Sequence, residues 1–342
     1  MKIAVVGGGH GALATAADMA LHGHEVRLSL RNRARFATVF ETGEIALSGV
    51  AGDGVGRLAE VTDDPAAAAR GADLVLVPMP ATAQAEVAER LRGGALVCLL
   101  PGTFGAYPVG RRLGSPVAET ATLPYGARFQ GGNAVRIAMR AHNLPTGVYP
   151  ARDTDAAVRL LAGAYPQVEA VEDALSAGLL NSNGALHAPL VLMNAGPIER
   201  LGEYDIHVEG TTPRIRRLIE DLDAERISLR RALGYTSADW PLADYYADAD
   251  WFYGPGAFST VQRKSVWREP LGFEHRYLLE DVGFGLVLWS SLGRALGVPT
   301  PLGDACIALA SSLLERDLRR HGRSLENLGL DGLDAAGLRA RL

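Results

Sequence analysis

The stretch Val5-Val6-Gly7-Gly8-Gly9-His10-Gly11-Ala12 decides the fold. It carries the pattern G-x-G-x-x-A at Gly7, Gly9 and Ala12. The apolar run Lys2 to Val6 before it predicts a buried strand, and the Ala-rich run Gly11 to Leu21 after it predicts a helix. The small residues act differently. Gly7 permits the tight turn, Gly9 lets backbone approach a pyrophosphate, and Ala12 keeps the helix close to the strand. The helix N-terminus then offers unpaired N–H groups and a partial positive charge to phosphate oxygens. Gly7, Gly9, His10, Gly11 and Ala12 are therefore assigned to a dinucleotide cofactor.

A second strand is predicted over Glu25 to Leu30. An NAD-selective fold carries an acid at its end, about twenty residues past the turn, to bind the ribose 2′-hydroxyl. This chain has Leu28-Ser29-Leu30-Arg31-Asn32-Arg33 there, with no acid. Arg31, Asn32 and Arg33 would instead hold a 2′-phosphate by charge-assisted hydrogen bonds, which favours NADP(H) over NAD(H). Solvated surface arginines are the other reading of the same residues.

Downstream, short β-rich runs alternate with Ala-rich ones, as βαβ units require. Strands are expected at 59–62, 74–77, 96–99 and 117–120, with helices near 65–70 and 81–91 between them. Late edge strands are expected at 135–141 and 168–171 around a helix at 153–164. From about Asp173 helical periodicity takes over. Thr212-Pro213 opens a helix running to Ala232, Tyr277 to Leu296 reads as a long helix before Gly297, and Pro301 to Arg320 reads as another, stopped by Gly322. The stretch Asp250 to Gly272 reads as a long ordered loop. The expected fold is a Rossmann-type doubly wound parallel sheet over residues 1–172, followed by an all-α domain over 173–342.

Composition narrows the partners. Hydrophobic residues make up 48%, charged residues 21%, and the net charge of −5 includes no long basic run, which argues against nucleic acid and for a small molecule. No apolar run is long enough to span a bilayer, and the N-terminus lacks a signal peptide's apolar core, so a cytoplasmic location is expected. Cys98 and Cys306 sit in apolar segments as expected inert thiols, and no metal is expected. A large helical C-terminal domain is compatible with a homodimer. Among 34 basic residues, only Lys2 and Lys264 are lysines.

A proton must accompany hydride transfer, and histidine is the natural group to handle it. Of eight histidines, His187 alone lies in an apolar helix, within Asn181-Ser182-Asn183-Gly184-Ala185-Leu186-His187-Ala188-Pro189. A satisfied core histidine is the alternative. A second patch, Arg276-Tyr277-Leu278-Leu279-Glu280-Asp281-Val282-Gly283-Phe284-Gly285, places an arginine and two acids before an apolar helix. Glu280 and Asp281 would point about 100° apart on a regular helix, so one can face inward while the other is solvated; ordinary N-terminal helix charges are the other reading of both.

By these motifs, together with Glu119-Thr120-Ala121-Thr122-Leu123-Pro124-Tyr125, the chain resembles the octopine/nopaline-type opine dehydrogenases over nearly its whole length. The resemblance implies reductive joining of an amino acid to an α-keto acid, with His187 as acid/base and Asp281 as the carboxylate that orients and charges it. It leaves Arg276 for a substrate carboxylate, with Asn183, Glu119, Thr120 and Tyr125 as neighbours of substrate or nicotinamide. A structural turn after a strand is the other reading of the last three. Where the family usually has proline, this chain has Gly184 and Gly283, which is expected to loosen both catalytic segments and to bear on the substrate. Two further functions compete: a ketopantoate- or β-hydroxyacid-type reductase, which would need Lys264 as its lysine, and a non-catalytic NADP(H)-binding sensor.

Overall fold

The computed structural model describes residues 1–264, 268 and 271–342, in two units, Met1–Gly178 and Leu179–Leu342. The division falls at Gly178 and not at residue 172. Residues 173–178 pack against unit 1, where the Asp173 carbonyl lies against Gly147 and Phe104 backbone lies against Gly178 too closely for any side chain.

Continuous apolar runs bounded by turn residues make buried parallel strands. Unit 1 has an eight-stranded sheet in the spatial order Val168–Ala170, Leu144–Tyr149, Val117–Thr120, Leu96–Leu99, Leu74–Val77, Lys2–Val6, Glu25–Ser29 and Glu60–Thr62. All neighbours are parallel except Leu144–Tyr149 with Val117–Thr120. The order reverses beside Lys2–Val6, which opens a crevice at its carboxyl end.

A second sheet departs from expectation. Gly54–Arg57, Glu44–Gly49, Ala134–Arg140 and Tyr125–Gly131 form a separate four-stranded sheet on the helix His10–Leu21, so Ala134–Arg140 is not an edge of the main sheet. Its innermost contacts are glycine on backbone: a Cβ at Gly56 would lie 2.8 Å from the Ala17 carbonyl oxygen.

Unit 2 is helical. Asn183–Leu192 is buried nearly all round and packs among Pro213–Ala232, the segment Asp281–Leu286 and Pro301–Leu313. Thr212 caps Pro213–Ala232, whose inner face holds two wholly buried arginines: Arg226 on Asp223 at 2.6 Å and Arg230 on Asp239 at 2.8 Å. Both expected C-terminal helices are interrupted. The first is split into Arg276–Leu279, a π-helical turn Asp281–Leu286, and Val287–Leu296. The second stops at Leu313, with Glu315 in a left-handed conformation before Asp317 caps Leu318–His321. In the stretch read as a loop, Ala257–Lys264 is helical, which puts Lys264 at a helix end; residues 265–267 and 269–270 of that stretch lie outside the described residues.

Candidate active site

Two constellations carry the candidate chemistry, one in each unit. In unit 1 the turn after Val6 behaves as its glycines require. Gly7 has φ +146°, and its N–H donates to the Ser29 carbonyl at 3.1 Å, tying the turn to the neighbouring strand. A Cβ on Gly7 would sit 3.0 Å from Met79 Cγ and 3.3 Å from the Pro78 carbonyl oxygen. At Gly9 a Cβ would meet nothing within 4 Å, so the open end of the helix faces unfilled space suited to a phosphate. Gly11 lies against Leu123 and Pro78, and Ala12 against Gly7. His10 departs from its expected role: its Nδ1 accepts the Phe129 N–H at 2.7 Å, which pins the second sheet to the helix.

A cleft beside this turn is lined by Gly7, Gly8, Arg31, Asn32, Arg35 and Arg90, among others. Arg31 is exposed and only loosely paired, 3.4 Å from Glu86. Asn32 shapes the turn, its Oδ1 accepting the Arg35 N–H at 2.9 Å. Arg33 does not line the cleft. Its Nε donates to Asp63 at 2.7 Å and its guanidinium lies 4.5 Å from the centre of the Phe40 ring. That hydrogen bond holds the Asp63 carboxyl below its ordinary range and raises Arg33 further. Arg35, which sequence reasoning passed over, faces the cleft with its guanidinium over Phe36 and Phe129. Its sequence signal is the alternation Arg31-Asn32-Arg33-Ala34-Arg35 next to an aromatic. Arg90 comes from a distant helix and has no such signal.

Glu119, Thr120 and Tyr125 are buried in unit 1 and bonded within it. The Glu119 carboxylate is fully buried and accepts the N–H groups of Phe104 at 2.7 Å and Ala106 at 2.6 Å. It thereby secures a loop in which Thr103 and Phe104 both have left-handed backbone. Thr120 donates to the Thr122 carbonyl at 2.7 Å. Tyr125 donates to the buried Asp18 carboxylate at 2.5 Å, a strut between the second sheet and the first helix, and burial pushes its phenol well up.

In unit 2 the fold joins residues 94 apart in sequence: His187 Nδ1 lies 2.7 Å from Asp281 Oδ2, the two residues being 5% and 2% exposed. With Asp281 ionised the carboxylate can only accept, so the shared proton sits on Nδ1 and Nε2 is left as the acceptor face of a neutral ring. The imidazole stacks on Tyr277 at 3.9 Å between ring centres, and His207 stands edge-on at 5.6 Å. Burial lowers His187 well below its ordinary range, and the nearby Arg276 guanidinium adds to that. Burial raises the Asp281 carboxyl to about 7 against the pull of Arg276. Desolvation, the larger effect on both groups, thus opposes the imidazolium that the carboxylate alone would favour.

Arg276 opens the short helix Arg276–Leu279, a third exposed, with Nη1 3.6 Å from Glu280. Glu280 is as buried as Asp281, so the expected division into one inward and one solvated acid does not hold. Asn183 starts the His187 helix, its N–H bonded to Asn181 Oδ1 at 3.1 Å. Gly184 tightens the site where loosening was expected: a Cβ there would lie 3.1 Å from the Asp281 carbonyl oxygen, so its absence lets the two segments touch. No helix among the described residues is long and apolar enough to cross a membrane.

Comparison with known proteins covers both units. Residues 170–314 match the family model described as NAD/NADP octopine/nopaline dehydrogenase, alpha-helical domain. An opine dehydrogenase of Arthrobacter sp. (strain 1C) is 32% identical, covering 98% of this chain and 97% of its own. Among solved structures, an octopine dehydrogenase described with NADH and pyruvate has a TM-score of 0.74 at 19% identity, covering 100% of this chain and 98% of its own. A ketopantoate reductase of the PanE/ApbA family from Ralstonia eutropha JMP134 shares the fold with a TM-score of 0.64 at 21% identity, covering 92% and 99%. The near full-length match to the Arthrobacter enzyme is what a shared fold alone does not produce, and on it the chain belongs to the opine dehydrogenase family, as an NAD(P)H-dependent dehydrogenase acting on CH–NH bonds.

Proposed function

We propose that the chain reduces, with NADPH, the imine formed between the amino group of an amino acid and the carbonyl of an α-keto acid. The observation that carries this reading is the buried 2.7 Å contact between His187 and Asp281. A neutral imidazole with Nδ1–H held by a carboxylate keeps Nε2 ready to take a proton. His187 would take it from the ammonium of the incoming amino acid, freeing the lone pair that attacks the keto carbon. The same nitrogen would return it as the carbonyl oxygen, which has taken a second proton from the attacking amine, departs as water and leaves the iminium. Asp281 fixes the ring and its tautomer, and Arg276 holds a substrate carboxylate by a bidentate contact. The dinucleotide, when bound, supplies the hydride.

The turn fits that cofactor, with Gly7 in a left-handed conformation and open space before Gly9. For the 2′-phosphate, Arg31 and Arg35 in the cleft replace the expected pair Arg31 and Arg33, because Arg33 is committed to Asp63. The reading is tested by following NADPH absorbance with pyruvate alone, with pyruvate plus a panel of amino acids, and with ketopantoate. Oxidation only when amine and keto acid are both present supports it. Oxidation with ketopantoate alone would replace it with the reductase alternative. Cofactor binding without turnover on any pair would favour the sensor.

A further inference from the structure

The carboxylate that meets His187 stands at the head of the π-helical turn Asp281–Leu286. The Phe284 and Gly285 N–H groups both turn to the Glu280 carbonyl, at 2.7 and 3.3 Å. A turn widened in this way disturbs the usual ladder of hydrogen bonds, and it persists where surrounding groups supply the missing partners. Here they come from the segment after the short helix Leu318–His321. The Arg323 N–H donates to the Gly283 carbonyl at 2.9 Å. Gly322 passes so close that a Cβ would sit 2.1 Å from the Gly283 oxygen and 2.5 Å from the Leu318 oxygen. Gly322 has φ −81°, so close approach and not backbone conformation demands glycine.

Three other contacts brace the segment: one within itself, one to the helix after the turn and one to the turn. Asn327 Nδ2 donates to the Gly322 carbonyl at 2.8 Å, and the Leu325 N–H donates to Ser291 Oγ at 3.1 Å in the helix that continues the turn. The Arg323 guanidinium lies 5.0 Å from the centre of the Phe284 ring. From the His187 helix, Gly184 lies against the Asp281 carbonyl. The turn is gripped by two segments, and unwinding it would rotate Asp281 about the helix axis.

We propose that Gly322 and Arg323 form a positioning clasp: by keeping the turn Asp281–Leu286 wound, they hold the Asp281 carboxylate on His187 Nδ1. The proposal rests on the reading of His187 and Asp281 as the acid–base pair.

The experiment is a double-mutant cycle in the full chain, combining Gly322→Ala with Asp281→Asn. With NADPH and a productive amine and keto acid pair, Gly322→Ala should lower kcat by about 10- to 100-fold, the scale of a misplaced catalytic group. KM values should stay as they were, and the pH–rate profile should move to that of Asp281→Asn. In the Asp281→Asn background the same substitution should cost nothing further, because the group it positions is gone. Asn327→Ala, at an exposed residue, loosens the clasp more gently and should show a smaller loss with the same dependence on background. It decides the matter if Gly322→Ala does not fold. Equal losses in both backgrounds, or no loss from either variant, would overturn the clasp. Full activity of Asp281→Asn itself would instead overturn the acid–base pair.

Discussion

Replacing Asp281 by asparagine should move activity and stability in opposite directions. The Asp281 carboxylate accepts from His187 Nδ1 at 2.7 Å in a buried site. A hydrogen bond to a charged group contributes about 1.5–3 kcal/mol, and about 1.4 kcal/mol is tenfold in rate. Its loss lowers kcat at least about 10- to 150-fold by that conversion. The amide can also donate to Nδ1, which would favour the tautomer protonated at Nε2 and depress the rate further, so this range is a floor. Stability follows from burial. Asp281 titrates at about 7 in the fold against an ordinary 3.8, so its stabilising contribution is full below about pH 4 and is lost as pH rises through 7. That shift bounds the loss at about 4 kcal/mol. Subtracting the lost hydrogen bond leaves the asparagine variant more stable by about 1–3 kcal/mol at pH 8. The advantage should vanish towards pH 4, His187 being common to both proteins. The assays are NADPH oxidation at saturating amine and keto acid, and urea unfolding at pH 4, 6 and 8. If the variant loses activity and stability together at pH 8, Asp281 is scaffold and the reasoning fails.

Arg35→Ala should raise the Kd for NADPH by about 10- to 100-fold, as loss of one charge-assisted contact does, and leave NADH nearly unchanged. Arg33→Ala should change neither cofactor much, since its partner is Asp63; fluorescence titration of both variants with both cofactors reads this directly, and the reverse ranking would return the 2′-phosphate to Arg33. Arg276→Gln should raise KM for the keto acid by about tenfold or more. Because the guanidinium helps to hold His187 low, its removal makes the imidazole easier to protonate. The acid limb of the kcat/KM profile should therefore move to higher pH, and a limb that stays or moves down would remove Arg276 from the site. Tyr125→Phe should cost about 1–3 kcal/mol of stability by depriving the buried Asp18 carboxylate of its hydroxyl donor. Its KM values should hold; a selective rise in one of them would restore Tyr125 to the substrate.

What the sequence discloses is what one element decides alone. The strands Leu74–Val77 and Leu96–Leu99 appear where they were expected, because a strand buried on both faces reads as a continuous apolar run. Gly54–Arg57 was illegible for a converse reason. Glycine weakens a strand signal, yet Gly56 is there because strand backbone lies directly on Ala17 of the first helix. Arg31, Arg33 and Arg35 are equal as sequence, and Arg33 is drawn away from the cleft by Asp63 and Phe40 from elsewhere in the fold. Glu119 beside Thr120 looks like site chemistry. Only the left-handed Thr103 and Phe104 reveal the buried carboxylate as the partner of two backbone N–H groups.

The acidic pair Glu280 and Asp281 shows most sharply where such reasoning ends. On a regular helix, adjacent residues diverge by about 100°, so one acid can face the core while the other is solvated. Both are buried here because the helix changes pitch between them: the Glu280 carbonyl takes two donors, and Asp281 begins the widened turn. The apolar spacing of Val282 and Leu286 suits an α-helix and a π turn alike, so periodicity cannot announce the change. Its causes are the Gly283 carbonyl and its donor at Arg323, far along the chain. The residue identities at the pair can therefore be read from sequence, but the direction of the carboxylate is a property of the segment packed behind it.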